Sequence, residues 1–310
     1  WTTPGGVRGP LTDEECAHIR GRVDEARDTA LVALTTFKRL LDKYREEADV
    51  FGVFPSLFMG LVADDGTWEH YGGRLRFVDH RRQVVADKLD PSRYQEFIGE
   101  AVQSDSYLKS PYFKPLGYPD GMYRVGPLAR LNLCDRMGTP LADKELAEYR
   151  QRGESSGTSS FYYHYARLVE ILTGVERIAD RVDAPDVRSP GSRPRAGVNR
   201  LEGVGCSEAP RGTLFHHYHV DRHGIIRRVN LIIATGQNNL AMNRTVTQIA
   251  QHYIQDGQAS EGILNRLEAG IRAFDPCLSC STHAVGQMPL VVQLVDAAGR
   301  TVCEWKRESA

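Results

Sequence analysis

A long apolar stripe near the start of the chain sets the terms for its fold. Apolar side chains recur at Cys16, Ile19, Val23, Ala26, Ala30, Leu34, Phe37, Leu41 and Tyr44, at spacings of three and four. That period puts them on one face of a helix. Thr12 and Glu15 have capping-box spacing, in which each side chain satisfies the other residue's free backbone N–H. A helix from Asp13 to Glu47 is roughly 50 Å long at 1.5 Å per residue. Such a rod buries its stripe only against other helices, so a bundle is predicted, with Cys16 as a packing residue rather than a functional thiol.

The remaining segments alternate between the two periodicities. Leu57–Val62 is a short apolar run, Asp64–Thr67 has turn chemistry and Arg74–Asp79 alternates, which predicts a small β-hairpin or sheet over 57–80. Pro91 to about Val102 reads as helix. The prolines and glycines of residues 107–127 predict mostly loop, with Arg124 and Arg130 in surface ion pairs. Residues 143–151 form a polar helix, 153–160 a Ser/Gly-rich loop, Phe161 to about Val182 a buried helix, and 184–198 an ordered loop or linker. Thr213–Val220, a turn at Asp221–Gly224 and Ile225–Ala234 make a β-hairpin whose ends bring Pro210-Arg211 near Thr235. Helices follow over 241–271. The expected class is α+β and mostly helical: a long-helix bundle with small β-hairpins or a sheet.

Composition closes off several functions. The chain has 310 residues, 41% apolar and 25% charged, which suits a soluble globular protein of one or two domains. A formal net charge of −1 gives no field to draw it to nucleic acid or anionic lipid. No apolar run approaches the ~18 residues of a membrane span. The start, Trp1 to Gly6, lacks the charged and apolar regions of a signal peptide. Six cysteines are too few for a disulfide scaffold in a chain this long, so the cytoplasm is the expected compartment.

Two constellations carry chemistry. In Asp275-Pro276-Cys277-Leu278-Ser279-Cys280-Ser281-Thr282-His283, two thiolates and an imidazole are spaced to converge on a soft or borderline metal such as Zn, Ni or Fe. Pro276 stiffens the approach and Phe274 can pack beneath the loop. A closed tetrahedral site needs four ligands, and no second C-x-x-C occurs, so half a zinc site and a redox dithiol both stay open on the residues alone. The second constellation is Glu208-Ala209-Pro210-Arg211-Gly212 and the hairpin after it. Among His216, His217, His219 and His223, His217 and His219 share one strand face and permit two-point ligation. A polar hairpin face is the favoured reading.

The first motif resembles the C-terminal signature D-P-C-x-x-C-x-x-H of [NiFe]-hydrogenase large subunits, matching every fixed position. The strings Tyr123 to Asn132 (Y-R-V-G-P-L-A-R-L-N), Glu208 to Gly212 (E-A-P-R-G) and Ala234 to Asn239 (A-T-G-Q-N-N) resemble the same family. The resemblance implies the hydrogenase large-subunit fold and reversible cleavage of H2 at a NiFe(CN)2CO centre. It implies Cys277 as a terminal nickel ligand, Cys280 as a Ni–Fe bridge, Pro210 and Arg211 over the metals, and the Thr235 hydroxyl on a cyanide. His283 would bind a Mg ion once a maturation endopeptidase has cut after it. Residues 1–283 would then be the C-terminal part of the large subunit, with 284–310 a propeptide retained until nickel-insertion proteins have loaded the metal.

The family's other cysteine pair lies in an N-terminal motif that this chain lacks, which implies an unprocessed C-terminal part, inactive alone. The F-D-P-C-L-S-C-S-T-H and G-Q-M-P-L strings look most like the cytoplasmic bidirectional NAD(P)-linked type. The partners of that type are flavin-bearing diaphorase subunits and an iron–sulfur small subunit. No G-x-G-x-x-G follows a strand, so the nucleotide would bind elsewhere. A non-catalytic scaffold of the same fold and a structural zinc protein are the competing readings.

Overall fold

The computed structural model describes residues 2–3, 5–104, 106–195, 197–254, 260–277, 290–296 and 298–307. Cys280 and His283 lie outside them. After a two-stranded ribbon, β1 (Thr2–Thr3) and β2 (Gly6–Val7), the chain enters α1 (Asp13–Lys43). The capping box is present: Glu15 N–H donates to Thr12 Oγ1 at 3.1 Å and Thr12 N–H to Glu15 Oε2 at 2.8 Å. Caps of this kind are worth about 1 kcal/mol. Cys16, Val23, Ala30, Leu34 and Leu41 are buried as the stripe requires. The helix stops earlier than expected, because Tyr44 (φ −112°, ψ 34°) leaves helical geometry before the short α2 (Arg45–Ala48).

The predicted sheet is larger than a hairpin. β3 (Leu57–Val62) pairs antiparallel with β4 (Arg74–Val78), which pairs with β5 (Val84–Leu89). All six residues of β3 are buried. Alternate side chains feed two cores: Phe58 and Val62 join the helical core with Leu34, Leu131 and Val169, while Leu57, Met59 and Leu61 join a sheet core with Phe77, Phe113 and Phe215.

Residues 91–113 correct the sequence reading. Asp90 caps a start at Pro91 by accepting from Ser92 N–H (2.9 Å), but the result is a 3-10 turn, Pro91–Glu96, interrupted at Arg93. A ribbon of β6 (Ile98–Gln103) and β7 (Ser106–Phe113) follows, where helix and then loop were expected. Pro111 suggested loop, yet each strand of a two-stranded ribbon has a free edge, where a missing N–H is tolerated.

The parallel strand β8 (Tyr123–Arg124) closes the sheet on β3, giving the order β5-β4-β3-β8. Helices α3 (Pro127–Leu133), α4 (Pro140–Gln151), the short α5 (Glu154–Thr158) and α6 (Tyr162–Arg181) complete the bundle on α1. Then come β9 (Glu202–Ala209), β10 (Gly212–Val220) and β11 (Ile226–Ile232), a three-stranded antiparallel sheet, of which β9 was not predicted. Last are α7 (Ala234–Gln237), α8 (Asn239–Tyr253), α9 (Glu261–Ala273) and the hairpin of β12 (Leu290–Val295) and β13 (Thr301–Arg307). Val292 and Trp305 of that hairpin pack on Phe51, Ile249, Leu264 and Leu267. The architecture is α+β, with 44% of residues helical and 27% in strands. Among the described residues no helix is long and apolar enough to cross a membrane.

His164 on α6 is wedged against Phe37 and Phe161, with ring centroids 6.0 and 5.7 Å away. Burial, reinforced by the Arg167 guanidinium, lowers its pKa from 6.5 to about 4. The unfolded chain protonates this ring near pH 6.5 and the folded chain only near 4. The stability it confers is therefore complete above 6.5 and is lost as pH falls to 4, by up to about 3 kcal/mol at ~1.4 kcal/mol per unit. His164→Phe is expected to flatten that part of the acid limb in denaturant titrations. An acid limb identical to wild type contradicts the assignment.

Candidate functional site

Four separate strings of the chain meet at one place: 123–130, 208–213, 235–239 and 273–277. The meeting begins with two glycines. Pro210 and Arg211 form the two-residue turn between β9 and β10, with Ala209 and Gly212 paired at its base. Gly126 (φ +93°) lies against that turn so closely that a Cβ would come within 2.6 Å of the Arg211 carbonyl oxygen. A Cβ on Gly212 (φ +136°) would in turn stand 2.4 Å from Val125 Cγ2. Both positions need positive φ and an absent side chain. The V-G-P and P-R-G strings are thus packed back to back.

Beneath the turn lies a buried ion cluster. Arg130 on α3 puts Nε and Nη2 on Glu170 of α6 (2.5 and 2.8 Å) and Nη1 on Glu208 of β9 (2.6 Å). Its side chain is 1% exposed, those of Glu170 and Glu208 10% and 1%. Glu208 also accepts from Leu61 N–H (2.9 Å) and Thr213 Oγ1 (2.7 Å). Two carboxylates around one guanidinium keep Arg130 charged against its burial, while burial pushes the Glu170 carboxyl up. Desolvating such groups costs several kcal/mol per ion, so net stability does not account for the cluster. What it supplies is position: Arg130 also donates to the carbonyl oxygens of Ala209 (3.0 Å) and Pro210 (2.9 Å), fixing the backbone that carries Arg211.

Arg124 is likewise buried rather than on the surface. Its guanidinium lies 4.0 Å from the Phe54 ring centroid and donates to the carbonyl oxygens of Thr158 (2.6 Å) and Phe54 (3.3 Å). Burial lowers its pKa to about 10, which leaves it charged at neutral pH. The expectation of surface ion pairs for Arg124 and Arg130 therefore fails. Those ion pairs that do form, Arg130 with Glu170 and Glu208, are internal.

The A-T-G-Q-N-N string braces the same place. Asn238 Oδ1 accepts from Val125 N–H (2.9 Å) and its amide donates back to Val125 O (3.3 Å). Gln237 accepts from the buried Tyr123 hydroxyl (2.9 Å) and donates to Thr213 O. Tyr163 donates to Val125 O (3.0 Å) and packs on Phe274, 4.7 Å between ring centroids.

The cysteine loop enters on this frame. Phe274 is buried, as expected for the residue beneath the loop. Asp275 adopts φ +51°, a left-handed conformation uncommon outside glycine. Arg211 Nε donates to Asp275 O at 2.6 Å and lies 3.2 Å from Asp275 Oδ2. Cys277 N–H donates to the buried Thr235 Oγ1 at 3.1 Å. Arg211, Thr235 and Cys277 are therefore gathered at one site, with Pro210 exposed at the turn beside them. The partners that sequence reasoning missed are Glu170, Glu208, Gln237 and Asn238. One signal existed for Glu170: it follows Val169 and lies i+4 from Ala166 on a buried helix face, where a lone carboxylate needs an internal partner.

The donor chemistry fits half of a thiolate-bound centre. Cys277 is partly accessible, and with Cys280 the loop offers the soft donors that nickel takes. Three other thiols, those of Cys16, Cys134 and Cys206, suit the role poorly. Cys16 and Cys134 are fully buried, and burial pushes Cys134 and Cys206 well above the ordinary thiol range, away from the thiolate a metal needs.

The family described as Nickel-dependent hydrogenase matches residues 76–283. The chain is 41% identical over 316 residues to the NAD-reducing hydrogenase HoxS subunit beta of Cupriavidus necator, covering 99% of this chain and 64% of that one. It is 38% identical over 295 residues to a subunit of the vhc F420-non-reducing hydrogenase of Methanococcus voltae, covering 94% and 62%. A crystal structure of NAD+-reducing [NiFe]-hydrogenase in the H2-reduced state superposes with a TM-score of 0.85 at 38% identity, over 91% of this chain and 62% of that one. The chain belongs to the nickel-dependent hydrogenase family and has the hydrogenase large-subunit fold. It spans less than two thirds of the length of these relatives.

Arg130→Met strands two buried carboxylates and is expected to cost roughly 3–5 kcal/mol in urea unfolding. Arg130→Met combined with Glu170→Leu and Glu208→Leu is expected to recover part of that loss. A single variant as stable as wild type contradicts the ion cluster.

Proposed function

We propose that this chain forms the C-terminal part of the catalytic subunit of a [NiFe]-hydrogenase, which cleaves H2 reversibly to protons and electrons. The convergence of Arg211, Thr235 and Cys277 on one braced site carries the reading, supported by family membership. Cys277 and Cys280 would hold the metals on this side, and His283 a Mg ion. A nickel–iron centre supplies Lewis acidity toward H2.

The chain's own residues do the rest. The Cys277 Sγ, as a thiolate, would receive the proton, while Arg211, already a guanidinium cation, supplies positive charge beside it. Arg211 lies over the site on a turn fixed by Arg130, and its guanidinium suits an anionic acceptor such as cyanide. The Thr235 hydroxyl, held by Cys277 N–H, has its own proton left to donate to a second such acceptor. Two thiolates are half the set that the resemblance implies, so a chain with this sequence alone is inactive and the remaining cysteines come from the rest of the subunit. Similarity to the HoxS subunit beta supports NAD(P) as the acceptor, reached in the cytoplasm through flavin-bearing diaphorase subunits and an iron–sulfur small subunit.

Two outcomes are expected. Cys277→Ala in the full-length enzyme should carry little nickel by elemental analysis; normal nickel content contradicts the ligand role, and zinc in place of nickel and iron in the wild type favours a structural zinc protein. In nickel-starved cells, residues 284–310 should stay attached, as read by intact mass. A chain ending at His283 under those conditions contradicts the propeptide assignment.

A further inference from the structure

The unpredicted strand β9 changes the meaning of the histidine cluster on β10. In the antiparallel register His219 faces Glu202, and His217 lies two residues along on the same face. His217 Nε2 is 2.9 Å from Glu202 Oε1, and His219 Nε2 is 3.5 Å from the same oxygen. The imidazole centroids are 4.8 Å apart. One donor atom from each of the three residues falls within 4.8 Å of the others. We propose that Glu202, His217 and His219 form a second metal site, for a borderline divalent ion of the zinc class.

The donor set selects the class. Two imidazoles and a carboxylate suit Zn2+, Ni2+ or Cu2+ better than the all-oxygen sites of Mg2+ and Ca2+. Glu202 is exposed, so a fourth position faces solvent. His216 and His223 stand outside: His216 Nδ1 is engaged by the Tyr218 hydroxyl at 2.9 Å, and Arg222 donates to His223 at 3.1 Å.

Behind the site is an outer partner that a ligating histidine requires. The buried His217 has Nδ1 3.1 Å from the Tyr94 hydroxyl, which accepts from Asn230 (3.0 Å) and Gln95 (3.3 Å). With both donors aimed at its oxygen, Tyr94 gives its own proton to His217 Nδ1, and Nε2–H points at Glu202. Metal entry needs the other tautomer. The proton moves to Nδ1 and donates to Tyr94 Oη, the Tyr94 O–H turns to the Gln95 amide oxygen after rotation of that amide, and Nε2 is freed as a ligand. No proton leaves the site in this exchange.

From Gly212 to His219 the strand runs about 23 Å at ~3.3 Å per residue, so the ion sits at the open end of the β9–β10 ribbon, remote from the Arg211 turn. Its role is a structural clip on that ribbon.

The test is zinc content after equilibrium dialysis of the full chain against buffered free Zn2+. His219→Gln and Glu202→Gln, both at accessible positions, are expected to hold one zinc fewer per chain than wild type; thiolate-bound zinc in the cysteine loop contributes equally to all three. Tyr94→Phe is expected to weaken the difference site by roughly 10–100-fold while keeping its ligands. Equal zinc in His219→Gln and wild type overturns the proposal, as does a zinc X-ray absorption spectrum of wild type that shows no imidazole contribution absent from His219→Gln.

Discussion

A guanidinium buried between two carboxylates holds the turn that carries Arg211 in place. Arg130 joins α3 to α6 through Glu170 and to β9 through Glu208, and its remaining N–H groups reach the turn at Ala209 and Pro210. The helical core and the sheet core meet at this point, because β3, which feeds both, also gives its Leu61 N–H to Glu208. Replacing such a cluster with well-packed apolar groups is often neutral for stability. An apolar side chain, however, has nothing to offer two turn carbonyls. The turn that carries Arg211 is the part of the fold that the charges specify.

From that point the site is assembled by backbone proximity more than by side-chain bulk. Gly126 and Gly212 permit two chain segments to touch, and Asn238 and Gln237 stitch the third segment to them through amide hydrogen bonds. The cysteine loop is then fastened at two atoms, Asp275 O by Arg211 and Cys277 N by Thr235. A metal ligand on a loop needs such a rigid supporting shell to keep its geometry. Here the shell comes from three sequence-distant strings, 123–130, 208–213 and 235–239, joined to one another by buried polar contacts.

Those strings explain how far the sequence could be read. The α1 stripe and its capping box were legible because helix periodicity and end chemistry are local. So were the β10–β11 hairpin and the buried α6. Strand β9 was not: Glu202-Gly203-Val204-Gly205-Cys206-Ser207-Glu208 alternates weakly, with glycines on one face, and its pairing is decided by β10. Residues 98–102 misled as the continuation of a helix begun at Pro91, and residues 107–113 through Pro111, whose missing N–H a two-stranded ribbon tolerates. The burial of Arg124 and Arg130 was illegible in a local window, since their partners at Phe54, Thr158, Glu170 and Glu208 are long-range. The site residues Pro210, Arg211, Thr235 and Cys277 were singled out by family motifs, and the contacts gathering them appear only in three dimensions. Cys280 and His283 lie outside the described residues, and their roles rest on the motif.

In the proposed reading the Cys277 loop, seated on Arg211 and Thr235, supplies half of a thiolate-bound nickel–iron centre. The most direct test is nickel X-ray absorption on the assembled enzyme purified from its host. The expected spectrum shows a first shell dominated by sulfur that loses sulfur intensity when Cys280→Ser is introduced. A shell of nitrogen and oxygen donors, or one unchanged by that substitution, would contradict that reading.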